Sequence, residues 1–413
     1  MKNNVIYISS HIITFISGLI LTLLLPRFLS VSDYASLSIE ISLLNMLLPI
    51  ATFGLTPYII RNFKKQETMT YHLRDTVFFL FVIGNALAFF IFALYLFIKT
   101  GAVNVITLFL VVSSIIVTSL ITVSSGLYRV KKEPIKYFCV VSLSKFFLLV
   151  FVLSSIFYFH YWENEYYFFS LLISGLLVAL IFKGDMLPKR NSNKTTKCSD
   201  YVKSIFFCLP IVISNVLVMF VPFLERTVID TMLSKDILAQ YVFNFEVSSK
   251  ISAVVLLSLK ILIWPNIVDS SEKEEKAKYK KYGLKVVFVL ISTVAIIFVF
   301  GRPLYEIMID LFLSESYNNF IVFLYAVTFS ALSVLLYYIN LSVLLSGKTY
   351  IMTIGCLIIS FSHYTGLVYL VPIYGVIGAC ISSVVSVSAG IVFSLVFNFE
   401  FFVNRKKVSN ESI

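Results

Sequence analysis

Charge is scarce in this chain. Only 13% of its 413 residues are Asp, Glu, Lys or Arg, while 59% are hydrophobic. A soluble domain carries about 25% charged and about 45–50% apolar residues. So little polar surface could not cover a water-soluble globule of this length. Long polar segments are lacking as well. The longest, KGDMLPKRNSNKTTKCSDYVK, covers residues 183–203, so no sizeable soluble domain fits between the apolar runs. Cysteine is sparse, and Cys139, Cys198, Cys208, Cys356 and Cys380 share no paired spacing. That argues against both a disulfide framework and a zinc site. No GxxxxGK[ST] loop is present, so ATP is not hydrolysed by that route. HExxH, GxSxG and a D-x-D pair at a membrane face are also missing. Without them, and with short external loops, a membrane-embedded polymerase or transferase is disfavoured and no enzymatic role is expected.

What is present is a succession of long apolar runs. Only helices and closed barrels span lipid, and these runs lack the residue-by-residue alternation of barrel strands. The pattern predicts an all-α polytopic membrane protein. Twelve spans are expected, at about 5–25, 36–60, 76–98, 105–127, 137–160, 166–182, 204–224, 237–263, 286–301, 318–343, 351–371 and 376–398, each near the ~20 residues a crossing needs. The first run, Val5 to Leu25, is too long for a signal-peptide core and lacks a small-residue cleavage site, so it reads as an uncleaved span.

The net charge of +11 is spread over short loops, not gathered on a soluble face. No nucleic-acid partner is expected. Of the 33 Lys and Arg, Arg27, Lys99, Arg226, Lys235 and Arg302 fall in one set of loops, and Lys145, Lys250 and Lys260 fall in spans. The other 25 lie in the opposite set, with the N-terminus. By the positive-inside rule both termini are then cytoplasmic. The polar stretch halfway along splits the spans six and six, which predicts two pseudo-symmetric six-helix bundles. Residues 1–185 form the first, 186–203 a linker, 204–398 the second and 399–413 a cytoplasmic tail. A faint internal echo supports the repeat: LSVSDYASLSIE before the second span resembles LSKDILAQYVFNFE before the eighth.

The eighth span, FNFEVSSKISAVVLLSLK at 243–260, keeps three charges. On a helical wheel Lys250 and Lys260 each lie about 40° from Glu246, so all three share one face. That face extends over roughly 21 Å. Each mid-span charge disfavours insertion by ~2.5–3.5 kcal/mol, whereas each large apolar residue contributes only ~0.3–0.6. Such a face belongs in a bundle interior or a wet cavity. Two readings follow: a structural ion pair between Glu246 and Lys250 one turn apart, or a substrate-facing stripe. Further intramembrane polar groups are Glu40, Lys145, Asn215 and His363. Lys145 and His363 fall at near-equivalent positions of the two halves, and His363 also reads as an ordinary hydrogen-bonded interior histidine. Glu40 reads equally as a partner of Arg27 or Arg226 or as a substrate contact. Arg226 closes the seventh span, where an interfacial anchor is the commoner role.

Residues 26–63, PRFLSVSDYASLSIEISLLNMLLPIATFGLTPYIIRNF, resemble the opening of bacterial polysaccharide flippases of the Wzx type. Phe53-Gly54-Leu55 and Arg61 match the family's pattern there. The stretch 225–243, ERTVIDTMLSKDILAQYVF, is similar to its link between spans seven and eight, although Glu225-Arg226 stands where relatives often begin with Asp. LSGKTYIMTIG at 345–355 and LVPIYGVIGACISSVVS at 370–386 look like its last two spans. The resemblance covers nearly the whole chain in order. It implies the multidrug/oligosaccharidyl-lipid/polysaccharide exporter superfamily, a MATE-like fold and a bacterial inner-membrane location. It implies flipping of an undecaprenyl-pyrophosphate-linked oligosaccharide, an O-antigen or related repeat unit, by alternating access through a charged central cavity. No cofactor is implied; coupling to a proton or sodium gradient is compatible with the resemblance, and the sequence does not name the driving ion or require one. A polysaccharide polymerase and a chain-length regulator are the protein partners implied. Cavity candidates are Lys145, Lys250, Arg226, Glu246, Glu40, Lys260, Asn215 and His363. The alternative is a multidrug or cation antiporter on the same fold. Such antiporters usually rely on a carboxylate in the N-terminal bundle, often on span one; here that span has only His11, and the lysines disfavour cationic cargo.

Overall fold

A computed structural model describes residues 2–66, 71–101, 104–158, 163–182, 198–258, 272–312, 315–346 and 350–403. Among them the regular structure is helical: α1 (Lys2–Phe28), α2 (Val31–Thr52), α3 (Leu55–Gln66), α4 (Tyr71–Thr100), α5 (Val105–Val130), α6 (Pro134–Tyr158) and α7 (Asn164–Ile181). There follow α8 (Cys198–Met232), α9 (Lys235–Ser258), α10 (Glu272–Phe312), α11 (Phe320–Ser346), α12 (Tyr350–Tyr374) and α13 (Val376–Val403).

Each of the twelve expected spans falls on a described helix, with α2 and α3 forming one crossing. Eleven segments are long and apolar enough to cross a membrane. The eighth expected span, on α9, is not among them, because Asp236, Asn244, Glu246 and Lys250 dilute its hydropathy. Its last residues, 259–263, lie outside the described residues, as do Lys260, 186–197 of the expected linker and 404–413 of the tail. The outer surface is what a bilayer requires: Phe288, Phe298 and Phe361 are each about 70% exposed. In lipid such side chains meet acyl chains instead of water. The molecule is a multi-pass membrane protein.

Local chemistry explains where the helices start and break. Ser30 caps α2, accepting the Asp33 N–H at 3.1 Å while its hydroxyl donates to Asp33 Oδ2 at 2.5 Å. Ser234 accepts the Ile237 N–H at 3.3 Å at the head of α9. The two echoing segments therefore begin with the same serine cap. Between α2 and α3 the chain turns through left-handed Phe53 (φ 45°) and Gly54 (φ 64°). Pro49, inside α2, weakens the helix just before that turn. Asn85 on α4 donates to Ala51 O at 3.3 Å, a carbonyl at the break. The PIYGVIGA run is the α12–α13 corner. Gly375 (φ 59°) donates its N–H to Val371 O at 2.9 Å, and Ala379 and Cys380 beyond it are fully buried.

The chain divides into two compact units, residues 1–21 with 36–223 and residues 22–35 with 224–413. In the first, α5 packs on α3, α4, α6 and α7. One core there joins Phe53, Leu55, Leu80, Phe81, Leu127 and Cys208. In the second, α11 packs on α9, α10 and α13, and α12 lies along α13. A core of Tyr279, Val286, Leu290, Val334, Tyr338 and Leu341 ties α10 to α11.

Candidate functional site

The second unit concentrates buried charge around two consecutive residues of α8, Glu225 and Arg226. Neighbours on a helix point about 100° apart, so the two side chains serve different partners. Arg226 was expected to close a span at the membrane surface. Instead α8 continues to Met232, and Arg226 is buried within it. Its Nη2 donates to Glu246 Oε1 at 2.8 Å. Lys250 Nζ lies 3.5 Å from the other oxygen, Oε2. The ion pair that the i,i+4 spacing predicted is present, and a second cation from another helix has joined it.

One carboxylate thus faces two cations, and the group carries a surplus positive charge. Exposure rises across it, from 10% for the Arg226 side chain to 26% for Lys250 and 32% for Glu246. The guanidinium is packed in, while Glu246 and Lys250 are half-buried. Tyr34, buried and stacked edge-on to Tyr317 at 6.0 Å, is close enough to feel the charges of Glu246 and Arg226.

Glu225 faces the other way, into a fully buried polar cluster. Its Oε1 accepts the Ser383 hydroxyl at 2.5 Å and lies 3.1 Å from His363 Nε2, at ion-pair distance but off the line of the N–H. His363 has no exposure at all. Its Nδ1 meets Ser382 Oγ at 3.2 Å and Ser386 Oγ at 3.5 Å. Ser382 also donates to the His363 carbonyl at 2.8 Å, tying α13 to α12. The Tyr241 hydroxyl from α9 reaches Ser383 Oγ at 3.4 Å and is in hydrogen-bonding contact with Glu225. His363 is therefore hydrogen-bonded through Nδ1, as its ordinary interior reading held, and a buried acid stands beside its Nε2.

The remaining candidates lie in the first unit. Glu40 is half-buried on α2, hydrogen-bonded to the Asn164 side chain, with Lys99 and Glu165 nearby. Glu165 in turn accepts the Thr107 hydroxyl at 2.9 Å. Lys145 is half-buried on α6 and Asn215 is exposed on α8. The structure thus brings together Arg226, Glu246 and Lys250 at one point, with His363 behind Glu225. Glu40, Lys145 and Asn215 belong to the other unit.

Glu225, Tyr241, Ser382, Ser383 and Ser386 are site residues that sequence reasoning did not single out. A signal for some of them exists. Ser382, Ser383 and Ser386 recur at helical spacing on an otherwise apolar span, and a buried histidine needs such partners. Among the described residues no group of three or more His, Cys, Asp or Glu could hold a metal ion.

A family profile described as "Polysaccharide biosynthesis protein" matches residues 1–271. No curated protein matches the sequence. Among solved structures the chain is similar to lipid II flippase MurJ in an inward closed conformation. That match has 12% identity over 96% of this chain and 87% of the other, with a TM-score of 0.65. It is similar to a multidrug resistance MATE family transporter of the MOP superfamily in an inward-facing conformation, at 12% identity, 94% of each chain and a TM-score of 0.61. A MOP superfamily transporter from Pyrococcus furiosus matches at 13% identity over 98% and 95% of the two chains, with a TM-score of 0.53. At such identities the likeness is one of fold.

Proposed function

This chain belongs to the polysaccharide biosynthesis protein family, and on that premise we propose that it is a flippase for an undecaprenyl-pyrophosphate-linked oligosaccharide. It carries an O-antigen or related repeat unit from the cytoplasmic to the periplasmic leaflet of a bacterial inner membrane. The observation that carries this reading is the Arg226–Glu246–Lys250 group. It holds surplus positive charge on a partly open face of helices otherwise suited to lipid. An intramembrane charge is costly and is kept where it meets a charged ligand or partner. A pyrophosphate bears several negative charges and oxygen acceptors, and it matches an Arg fork beside a mobile Lys ammonium. Glu246 holds the two cations in place while the site is empty and yields them as the anion enters.

The transport step follows from the same physics. A sugar–pyrophosphate head group cannot cross ~30 Å of hydrocarbon unaided. A polar path with fixed positive charge lowers that barrier, while the polyprenyl tail stays in lipid. The protein exposes the site alternately to the two sides and makes or breaks no covalent bond. A cation antiporter on this fold is less well supported, because the surplus charge repels cationic cargo.

The test is a deletion strain that has no second flippase. Lipid-linked repeat units should accumulate on the cytoplasmic leaflet, and surface polymer should vanish. Normal surface polymer in that strain would refute the assignment.

A further inference from the structure

Between α10 and α11 the second unit carries a groove that the cationic group does not use. The two helices are clasped at both ends of it. At one end the Tyr279 and Tyr338 rings stack at 4.7 Å, the Tyr279 hydroxyl donates to the Tyr338 carbonyl at 3.0 Å, and the Tyr338 hydroxyl donates back to the Tyr279 carbonyl. At the other end Tyr305 packs on Phe320 and Phe323, with ring centroids 5.5 and 5.0 Å away. Between the clasps lies a gap of about 490 Å³, lined from Val287 to Val299 on α10 and from Thr328 to Leu335 on α11. Ala295, Thr328 and Ala331 are its small side chains, and they keep it open. None of the lining residues is charged, and the Thr328 hydroxyl donates to the Leu324 carbonyl at 2.9 Å. The groove therefore offers nothing to a polar or ionic occupant. α10 is also the least covered crossing helix: 11% of its segment is buried, against 22–50% for the other ten.

Shape and depth select the occupant. Residues 287–299 rise roughly 18 Å along α10. Volume over that length gives a cross-section of roughly 27 Å². A helix with its side chains, about 10–12 Å across, needs roughly 80–110 Å². A single hydrocarbon chain, with carbons touching their neighbours at about 4 Å, needs on the order of 20 Å². The groove thus fits one chain with room for methyl branches, and not a helix of a second copy. The midpoints of the two crossing segments, near Ile296 and Ala331, both fall within the lined stretches. The groove therefore crosses the middle of the bilayer. An acyl chain anchored in one leaflet ends near that middle, since each leaflet supplies about half of the ~30 Å core. It enters the groove from one side only, whereas a polyprenyl chain longer than a leaflet fills it throughout.

The groove is level with the cationic group. Leu290, Val294 and Ala331, which line it, also border a small cavity lined by Ser248 and Ser252 of α9, two residues to either side of Lys250. On the helical wheel each serine lies about 200° from Lys250, so the charge faces one side of α9 and the groove lies behind the other. We infer that this groove holds the polyprenyl chain of the lipid-linked substrate while its head group sits at Arg226 and Lys250. The inference rests on the flippase reading and adds to it a site for the chain. Leaving lipid brings no hydrophobic gain, so close packing against both helices is what holds the chain.

The experiment uses the full chain in nanodiscs with two photoprobes: undecaprenyl pyrophosphate bearing a diazirine on its chain, and phosphatidylglycerol bearing one on an acyl chain. Peptide mapping should place the polyprenyl cross-links within 287–299 or 328–335, several-fold above those of the phosphatidylglycerol probe. Ala295→Phe should fill the groove and reduce that labelling several-fold; Thr328→Leu serves the same purpose if the first variant does not insert. In proteoliposomes the filled variant should lower several-fold the ratio of flipping rates for an undecaprenyl-linked over a geranyl-linked glycolipid. Equal labelling by both probes marks a surface for ordinary bilayer lipid and overturns the inference. So do cross-links confined to other segments, an unchanged rate ratio in the filled variant, or Ala295→Cys chains that join in pairs by a disulfide where the wild type does not. A chain that takes the polyprenyl probe in the groove but flips no glycolipid overturns the flippase reading alone.

Discussion

Replacing Lys250 by Ala should separate transport from folding. In the native group Glu246 faces Arg226 at 2.8 Å and Lys250 at 3.5 Å. Removing Lys250 leaves a one-to-one pair of Arg226 and Glu246, still neutral and still hydrogen-bonded. The lost contact is an i,i+4 pair with partly exposed ends, so the stability change should be about 0–1 kcal/mol. The site's net charge, however, falls from +1 to zero. At an effective dielectric of about 20, a unit charge about 5 Å from a phosphate contributes roughly 3 kcal/mol per negative charge. Water reaching the half-buried side screens part of this, leaving about 1–3 kcal/mol, or about 5- to 150-fold in affinity. The assay is flipping of a pyrophosphate-linked glycolipid with a fluorescent head group in proteoliposomes, read by a membrane-impermeant quencher. Thermal unfolding of the same preparations serves as the control. Lys250→Ala should slow flipping at subsaturating substrate by a factor in that range, with the unfolding midpoint nearly unchanged. Lys250→Arg should retain most of the rate. Wild-type flipping in Lys250→Ala would refute the argument and reduce the group to a structural ion pair.

Arg226→Ala should behave differently, destabilising the fold by about 3–5 kcal/mol, because it removes a buried partner and leaves Glu246 to Lys250 alone. Adding Glu246→Gln should recover part of that loss in a double-mutant cycle on the unfolding midpoint; strictly additive losses would contradict direct pairing. At the α12–α13 corner, a Cβ on Gly378 would stand 2.2 Å from the Leu370 carbonyl oxygen, whereas at Gly101 and Gly375 nothing lies within 4 Å. Gly378→Ala should therefore lower stability by about 1–3 kcal/mol or more through backbone displacement. Gly101→Ala, strained by its φ of 69° alone, should lose only about 1 kcal/mol in the same melting assay.

The spans were legible because lipid imposes one rule on every backbone group and every side chain of a crossing helix. Apolar runs are local features, and each led to its element, while the FGL and YG pieces marked the family resemblance. The break at Phe53-Gly54 and the turn at Gly375 fall where those pieces stand. On the site, the helical wheel placed Glu246 and Lys250 on one face, and they are in contact. Arg226 was read as closing a span because Glu225, Thr227 and Asp230 end the apolar run there, but α8 continues through them to Met232.

By itself the sequence determined the class of molecule, the helices and the cost of each intramembrane charge, since all three follow from residues near one another along the chain. Tertiary structure alone decided which charges meet. His363 finds Glu225, and Ser383 reaches that same carboxylate from 158 residues away. The physical reason is that an ion pair depends on a few ångströms in space, and helix packing sets those ångströms whatever the separation along the chain. Adjacent on one helix, Glu225 and Arg226 share a sequence neighbourhood; the 100° between them sends one into a sealed polar core and the other toward a half-buried cationic face.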